Sequence, residues 1–120
     1  MRKIWYLSSC STCAAIIKAL GGLEGFEKQD IKQANISAKD LDWLKEKMGT
    51  YEALFSRRAL KFREWGLHEK KLAEQDYRDY ILQEYTFLKR PVIVDGGDVF
   101  VGNTKAVVEA AQRKIGGHST

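Results

Sequence analysis

The stretch that most constrains this chain is its first twenty residues. Residues 4–7 form a short apolar run, Ser8-Ser9 follows, and Cys10-Ser11-Thr12-Cys13 leads into an apolar segment that ends at residue 20. This pattern predicts a buried strand, a tight turn and a helix, with both cysteines of the chain at the strand-to-helix junction. A helix start offers unpaired N–H groups and the positive end of the helix dipole, so a thiol there is expected to have a lowered pKa.

The composition limits the class of protein. The 120 residues are enough for one domain, and 44% hydrophobic with 30% charged residues is typical of a globular protein rather than a disordered chain or a coiled coil. No apolar run approaches the roughly 18 residues that span a bilayer, and residues 1–3 lead into no signal-peptide core. We therefore expect a cytoplasmic protein in a reducing compartment, without a membrane partner.

The charge pattern bears on the kind of partner. The net charge is +4, and basic and acidic residues alternate along the predicted helices, as in Lys45-Glu46-Lys47. Such interleaving is typical of solvated helix faces and does not indicate direct nucleic-acid binding. The positive balance suits a small anionic substrate such as an oxyanion or glutathione, or an acidic protein partner.

The predicted elements follow the order β-α-β, a helical block, then β-β-α. Strands are predicted over residues 3–7, 26–31, 91–94 and 99–101, and helices over residues 11–20, in pieces from 37 to 88, and after residue 104. This order is typical of an α/β protein with a thioredoxin-like fold and a mixed central sheet. We predict a single domain over residues 1–115, with 37–88 as a helical insertion and 116–120 as a flexible tail.

Three features of the chain resemble one known family. They are Ser9-Cys10-Ser11-Thr12-Cys13 after the first strand, the helical insertion, and Leu88-Lys89-Arg90-Pro91-Val92-Ile93-Val94 before the hairpin. On these motifs the chain resembles the arsenate reductase (ArsC) and Spx family of thioredoxin-like proteins over nearly its whole length. The Leu-x-Arg-Pro motif with its apolar run is the more specific signal, because a Cys-x-x-Cys pair also occurs in zinc sites and other redoxins.

The resemblance implies roles for the two cysteines. Cys10 matches the nucleophilic cysteine of the family, and Cys13 matches the second cysteine of Spx-type members, which forms a reversible disulfide with the first. Positions i and i+3 share one face of a helical turn, which is compatible with that disulfide. The alternatives are a buried structural thiol at Cys10 and a helix-packing thiol at Cys13. Ser11 and Thr12 either donate hydrogen bonds to the thiolate or substrate, or serve only in the turn and cap.

The resemblance also implies an anion-binding role for arginine. Arg90 matches the arginine that helps to bind the oxyanion in the reductases, and Pro91 is expected to be a cis proline that faces the thiol. A planar guanidinium suits an oxyanion or a carboxylate, whereas the alternative is a surface arginine at the start of a strand. Arg57 or Arg58 matches an arginine of the family's helical insertion, and the resemblance does not distinguish between these two residues.

Two functions stay open at this point. The favoured interpretation is an arsenate reductase-like thiol oxidoreductase without a bound cofactor, with glutathione, glutaredoxin or thioredoxin as electron donor and an anion or disulfide as substrate. The alternative is an Spx-like redox-sensing regulator that binds RNA polymerase, with the cysteine pair as its switch. Gly49-Thr50 resembles the stretch by which Spx contacts the polymerase, and it is also an ordinary helix end. Val101-Gly102-Asn103-Thr104 lacks the late arginine of the reductases, which is closer to the Spx-like branch.

Zinc is the remaining alternative for the cysteine pair. A zinc site would need two further ligands, and the only histidines of the chain are His68 and His118. Neither histidine has the spacing from the cysteines that a usual zinc finger requires. We therefore expect no metal.

Overall fold

In residues 1–116, the part of the chain that the computed structural model describes, four strands and five helices follow the predicted order. The strands are β1 (Arg2–Tyr6), β2 (Glu27–Asp30), β3 (Val92–Asp95) and β4 (Asp98–Val101). The helices are α1 (Ser11–Ala19), α2 (Ala38–Met48), α3 (Leu60–Glu64), α4 (Glu74–Gln83) and α5 (Lys105–Ile115). No helix among these residues has the length and hydropathy that a membrane span needs.

The four strands form one sheet in the order β2-β1-β3-β4, with β1 and β2 parallel and the other two pairs antiparallel. This arrangement confirms the predicted α/β class and mixed sheet. Tyr6 lies opposite Asp30, and Trp5 lies opposite Val92. The ends of β1 and β2 and the beginning of β3 therefore lie at the same edge of the sheet, so the chain around Cys10 leaves the sheet beside the chain that enters from Arg90.

The polypeptide divides into two compact units. The first comprises Met1–Ala34 together with the chain from Arg90 onward, and the second comprises Asn35–Lys89. The second unit contains the segment 37–88 that we predict as a helical insertion; the assignment of residues 1–115 to a single domain stays a prediction. Of the predicted tail, Gly116 ends α5 with a φ of 81°, whereas residues 117–120 lie outside the described residues.

The core of the first unit lies between one face of the sheet and two helices. Ile4 and Ile93 of the sheet pack with Ile16 of α1 and Ala111 of α5. Burial of these side chains gains about 25 cal/mol per Å² of apolar surface, which holds α1, and with it Cys10, against the sheet. The sequence pattern predicts an inner face of α5 that includes Ala106, but this residue is exposed. The prediction fails because α5 is phased so that Val108, Ala111 and Ile115 face the core.

Local sequence signals mark several helix ends. Ser37 accepts a hydrogen bond from the Asp40 N–H at 3.1 Å and begins α2, as the sequence predicts. Helix α1 ends at Ala19 rather than at Leu20, because the N–H groups of Gly21 and Gly22 turn back onto α1 carbonyls. The φ of Gly22 is +87°, a conformation that side chains with a Cβ rarely adopt.

The second unit is more broken than the sequence pattern indicates. In place of long helices it has α2, a five-residue α3 and α4, with 3₁₀ turns at Glu52–Leu54, Leu67–Glu69 and Tyr85–Phe87. Its core holds Phe55, whose ring stacks on Phe87 at 5.0 Å and meets Tyr77 edge-on at 5.0 Å. The sequence pattern predicts Trp65 in the core, but the residue keeps 39% of its surface exposed, although its ring lies near those of Tyr80 and Phe87.

Candidate functional site

Cys10 lies at the N-cap position of α1. Its N–H donates to the Leu7 carbonyl at 3.0 Å and closes the turn after β1, and its own carbonyl accepts the Ala14 N–H at 3.1 Å. The residue has extended backbone angles (φ −94°, ψ 114°), and its side chain makes no capping hydrogen bond. The first-turn N–H groups, which an N-cap oxygen usually satisfies, are therefore available to the Cys10 sulfur.

The surroundings of Cys10 favour its thiolate. Partial burial raises the pKa of Cys10, but the donor groups near the sulfur outweigh this effect. These donors are the backbone and thiol of Cys13, the Arg90 side chain and the backbone of Thr12. The net result is a Cys10 pKa below its ordinary value, which follows from donors and a cation placed around a negative sulfur.

Cys13 has the opposite character. It is buried, with 1% of its surface exposed, and burial raises its pKa to about 11. The neighbouring Cys10 thiolate raises the pKa of Cys13 further, while hydrogen bonding to the Leu7 backbone and the charge of Arg90 oppose the rise. Both cysteines are free thiols in this structure. The pair is thus asymmetric, with one partly accessible sulfur that favours the thiolate and one buried sulfur that favours the thiol.

Alkylation of Cys10 is expected to reach half of its maximal rate at a pH below about 8.5, which is the pKa of free cysteine. Because the folded-state pKa is lowered, thiolate forms at a lower pH in the native protein than in the unfolded chain. The measurement is the iodoacetamide rate against pH, with the urea-unfolded protein as reference and Cys10→Ser to subtract Cys13. A midpoint at or above that of the unfolded chain contradicts the prediction.

Arg90 and Pro91 enter the site from the beginning of β3. The Arg90–Pro91 peptide bond is cis, Pro91 is buried, and its carbonyl accepts the Gly102 N–H at 2.9 Å. The Arg90 side chain lies near enough to the Cys10 sulfur to lower the pKa of Cys10. The fold therefore brings Cys10, Cys13 and Arg90 together, although Arg90 is distant from both cysteines in the sequence.

The remaining candidate residues lie in two places, two of them beside Cys10 and two in the second unit. Ser11 and Thr12 are exposed in the first turn of α1. In the second unit, the Arg57 guanidinium donates to Glu52 Oε2 at 2.8 Å and to the Tyr77 hydroxyl at 2.7 Å. Arg58 is exposed and has no hydrogen bond or ion pair with other residues of the described range.

Asp30 is a feature of the site that the sequence analysis did not single out. At the end of β2 it accepts the Ser8 hydroxyl at 2.6 Å, the Ser8 N–H at 3.4 Å and the Lys32 N–H at 3.2 Å. The hydrogen bond from the Ser8 hydroxyl, with the backbone donors, keeps the pKa of Asp30 below its ordinary value. A carboxylate at the end of the second strand of a β-α-β unit was the available signal, since parallel strands end at the same edge of a sheet.

Cys10, Cys13 and His68, the described residues considered as zinc ligands, do not form one cluster. Among residues 1–116, no three His, Cys, Asp or Glu side chains form a group that could hold a metal ion. His68 lies in the second unit, with its Nε2 atom 3.5 Å from Glu69 Oε1. His118 lies outside the described residues.

The comparisons with known proteins indicate the same family. The model of the ArsC family matches residues 5–111. An ArsC family related protein from Bacteroides fragilis superposes with a TM-score of 0.77 at 19% identity, over 92% of this chain and 96% of that one. An arsenate reductase from Vibrio cholerae superposes with a TM-score of 0.71 at 19% identity, over 95% of this chain and 96% of that one. An arsenate reductase (ArsC) related protein from Brucella melitensis superposes with a TM-score of 0.69 at 23% identity, over 91% of this chain and 92% of that one. No curated protein matches the chain.

Proposed function

The chain belongs to the ArsC family and has a thioredoxin-like fold, and on this premise we propose that it is a thiol–disulfide redox protein with Cys10 as nucleophile. The observation that carries the proposal is the position of Cys10 at the N-cap of α1, where backbone donors and Arg90 act on its sulfur. Nucleophilic attack requires the thiolate, so these groups raise the reactive fraction at neutral pH. The buried Cys13, three residues later, is the second thiol.

The proposed reaction with a disulfide has two steps. The Cys10 thiolate attacks one sulfur of the substrate, so that a Cys10–substrate disulfide forms, the substrate S–S bond breaks and one substrate thiolate leaves. Cys13, as its thiolate, then attacks the Cys10 sulfur and releases the second substrate thiolate. Two electrons pass from the dithiol to the substrate, and the protein is left with a Cys10–Cys13 disulfide that an external dithiol must reduce.

The coupling between the two sulfurs suggests how the second step is timed. In the reduced protein the Cys10 thiolate contributes to the raised pKa of Cys13. When Cys10 enters a mixed disulfide its negative charge is lost, and that contribution disappears, whereas Arg90 continues to favour the Cys13 thiolate. The pKa of Cys13 should therefore fall when the intermediate forms, so that the resolving thiol is activated only then.

Arsenate is a second electrophile for the same machinery. The Cys10 thiolate would displace a hydroxyl from As(V) to give a thiol–arsenate adduct, and Arg90 would neutralise the oxyanion. A second thiol, from Cys13 or glutathione, would then attack the Cys10 sulfur, forming a disulfide as As(V) is reduced to As(III) and released as arsenite. Glutathione, glutaredoxin or thioredoxin would restore the Cys10 thiol, and no bound cofactor is required.

Replacement of Arg90 by Gln is expected to slow alkylation of Cys10 at neutral pH by roughly threefold to tenfold, because loss of the cation raises the Cys10 pKa and lowers the thiolate fraction. Arg113→Gln on α5 is a matched control, since this exposed arginine lies outside the site. Arg90→Lys keeps the charge but not the planar fork, and it should retain part of the rate. Equal rates for Arg90→Gln and Arg113→Gln would rule out the proposed electrostatic role.

For the helical insertion, the choice between two arginines can be narrowed. The Arg57 guanidinium donates hydrogen bonds to Glu52 and Tyr77, whereas Arg58 has no such partner among residues 1–116. If the insertion contributes an arginine to anion binding, as the family resemblance implies, we therefore assign that role to Arg58.

A second candidate function is the Spx-like regulator, which the loop after β4 favours. Where the reductases typically carry a further arginine, this chain has Gly102 with a φ of 94° and Thr104, whose hydroxyl accepts the Val107 N–H and begins α5. These residues serve the turn and the helix cap and supply no cation. In this interpretation the cysteine pair is a switch, RNA polymerase is the partner, and no turnover is expected.

One experiment separates the two functions. Purified protein is assayed for reduction of arsenate and of a small disulfide, with glutathione plus glutaredoxin and with thioredoxin as donors, and is tested in parallel for retention of RNA polymerase. Turnover that depends on a donor supports the redox enzyme. Absence of turnover with every donor, together with retention of polymerase, overturns the enzyme in favour of the regulator.

A further inference from the structure

The turn that presents Cys10 is held to the neighbouring strand by a single side chain. The Leu7–Cys10 turn is closed by its own backbone hydrogen bond of 3.0 Å, and its tip, Ser8-Ser9, is exposed. Asp30 reaches this tip from the end of β2 and accepts both the hydroxyl and the N–H of Ser8. A third donor, the Lys32 N–H, also bonds this carboxylate, at 3.2 Å from its Oδ1 atom.

We propose that Asp30 is a positioning residue for Cys10, and that it acts through Ser8 on the turn that sets the orientation of the Cys10 sulfur. The proposal rests on the proposed function of Cys10 as nucleophile. The backbone N–H groups of Thr12 and Cys13 lower the pKa of Cys10, and their distance from the sulfur depends on the N-cap position of Cys10. A turn released from Asp30 would let the sulfur leave those donors and so lose part of their stabilisation of the thiolate.

The sign of the effect distinguishes positioning from a direct influence of charge. The groups with the largest effects on the pKa of Cys10 are Cys13, Arg90 and Thr12, and Asp30 is not one of them. If the Asp30 charge acted on Cys10 through space, its removal would stabilise the thiolate and speed alkylation. If Asp30 positions the turn, its removal destabilises the thiolate and slows alkylation. The two possibilities therefore predict opposite changes.

The test measures the iodoacetamide rate of Cys10 against pH in Asp30→Asn, Ser8→Ala and the double variant. Each single variant is expected to slow alkylation at neutral pH by roughly threefold to tenfold through a higher Cys10 pKa. The double variant should be no slower than the slower single variant, because both changes remove one interaction. Ser8→Thr, which keeps the hydroxyl, should recover part of the rate lost in Ser8→Ala.

Two controls separate positioning from general loss of structure. Asp95→Asn removes a carboxylate that pairs with Arg2 at 3.2 Å, at the opposite end of β1, and should leave the Cys10 rate unchanged. Cys13 should stay protected from iodoacetamide in every variant, because a disrupted fold would expose both thiols. Slower alkylation of Cys10, with Cys13 still protected from iodoacetamide, supports the inference.

The outcomes that overturn the inference are distinct from those that overturn the function. A Cys10 rate in Asp30→Asn that equals or exceeds that of the native protein refutes the positioning role, and so does additive slowing in the double variant. A native Cys10 pKa in the range of free cysteine instead refutes the proposed function, and it is read from the unaltered protein alone.

Discussion

Replacement of Cys10 by Ser is expected to abolish thiol-dependent reduction, with a fall in rate of about a thousandfold or more, to the uncatalysed background. A serine hydroxyl at this N-cap accepts the same backbone hydrogen bonds, so the helix should stay capped. It does not ionise near neutral pH, however, and it cannot form a disulfide. The measurement is turnover with the donor that supports the native protein, together with the urea midpoint to show that the fold is retained.

The matched control for this experiment is Cys13→Ser. This variant keeps the nucleophile, so it should form a mixed disulfide at Cys10 and then stop, unless an external thiol resolves the intermediate. Mass spectrometry of the protein after exposure to a small disulfide should show the bound substrate half on Cys13→Ser and an internal disulfide in the native chain. Undiminished turnover in Cys10→Ser would show that the nucleophile lies elsewhere.

Replacement of Phe55 by Ala is expected to lower the free energy of unfolding by about 3–5 kcal/mol. Phe55 is 1% exposed and contacts the rings of Phe62, Tyr77 and Phe87 with centroid distances of 6.0, 5.0 and 5.0 Å. Truncation removes these contacts and leaves a cavity among side chains that can collapse only in part. Because domains of this size have total stabilities of about 5–15 kcal/mol, the loss should be visible as a large shift of the urea midpoint.

Trp65→Ala is a suitable comparison for Phe55→Ala. Trp65 also contacts Phe87, with ring centroids 5.4 Å apart, but 39% of its surface is already exposed to water. Its truncation should therefore cost clearly less than that of Phe55, although the indole is the larger side chain. If Trp65→Ala lowers the free energy of unfolding as much as Phe55→Ala or more, the exposed indole, and not the buried phenyl ring, is central to the stability of this unit.

Local signals in the sequence were sufficient to predict most of the first unit. The apolar run of β1, the helix after Cys10 and the Gly96-Gly97 hairpin each depend on neighbouring residues, and each is present. The second unit was harder to predict, because its apolar residues recur with helical spacing through segments that form 3₁₀ turns. There the aromatic contacts of Phe55 join residues from separate segments, and no local pattern in the sequence specifies such contacts.

The same distinction applies to individual functional candidates. Sequence resemblance singled out Arg57 and Arg58 equally, and only the contacts of Arg57 with Glu52 and Tyr77 distinguish them. Asp30 reads as an ordinary strand residue in the sequence. Its relation to Ser8 depends on the parallel pairing of β1 and β2, which no local pattern specifies.

The sequence by itself determined that a dithiol begins a helix after a strand. It also determined that backbone donors act on Cys10, because those donors belong to the next three residues of the chain. The tertiary structure decided that Arg90 lies near the sulfur, that Asp30 holds the turn, and that burial raises the pKa of Cys13 to about 11. The physical reason is that helix-terminus effects are local, whereas burial and contacts between distant residues exist only after the strands have paired.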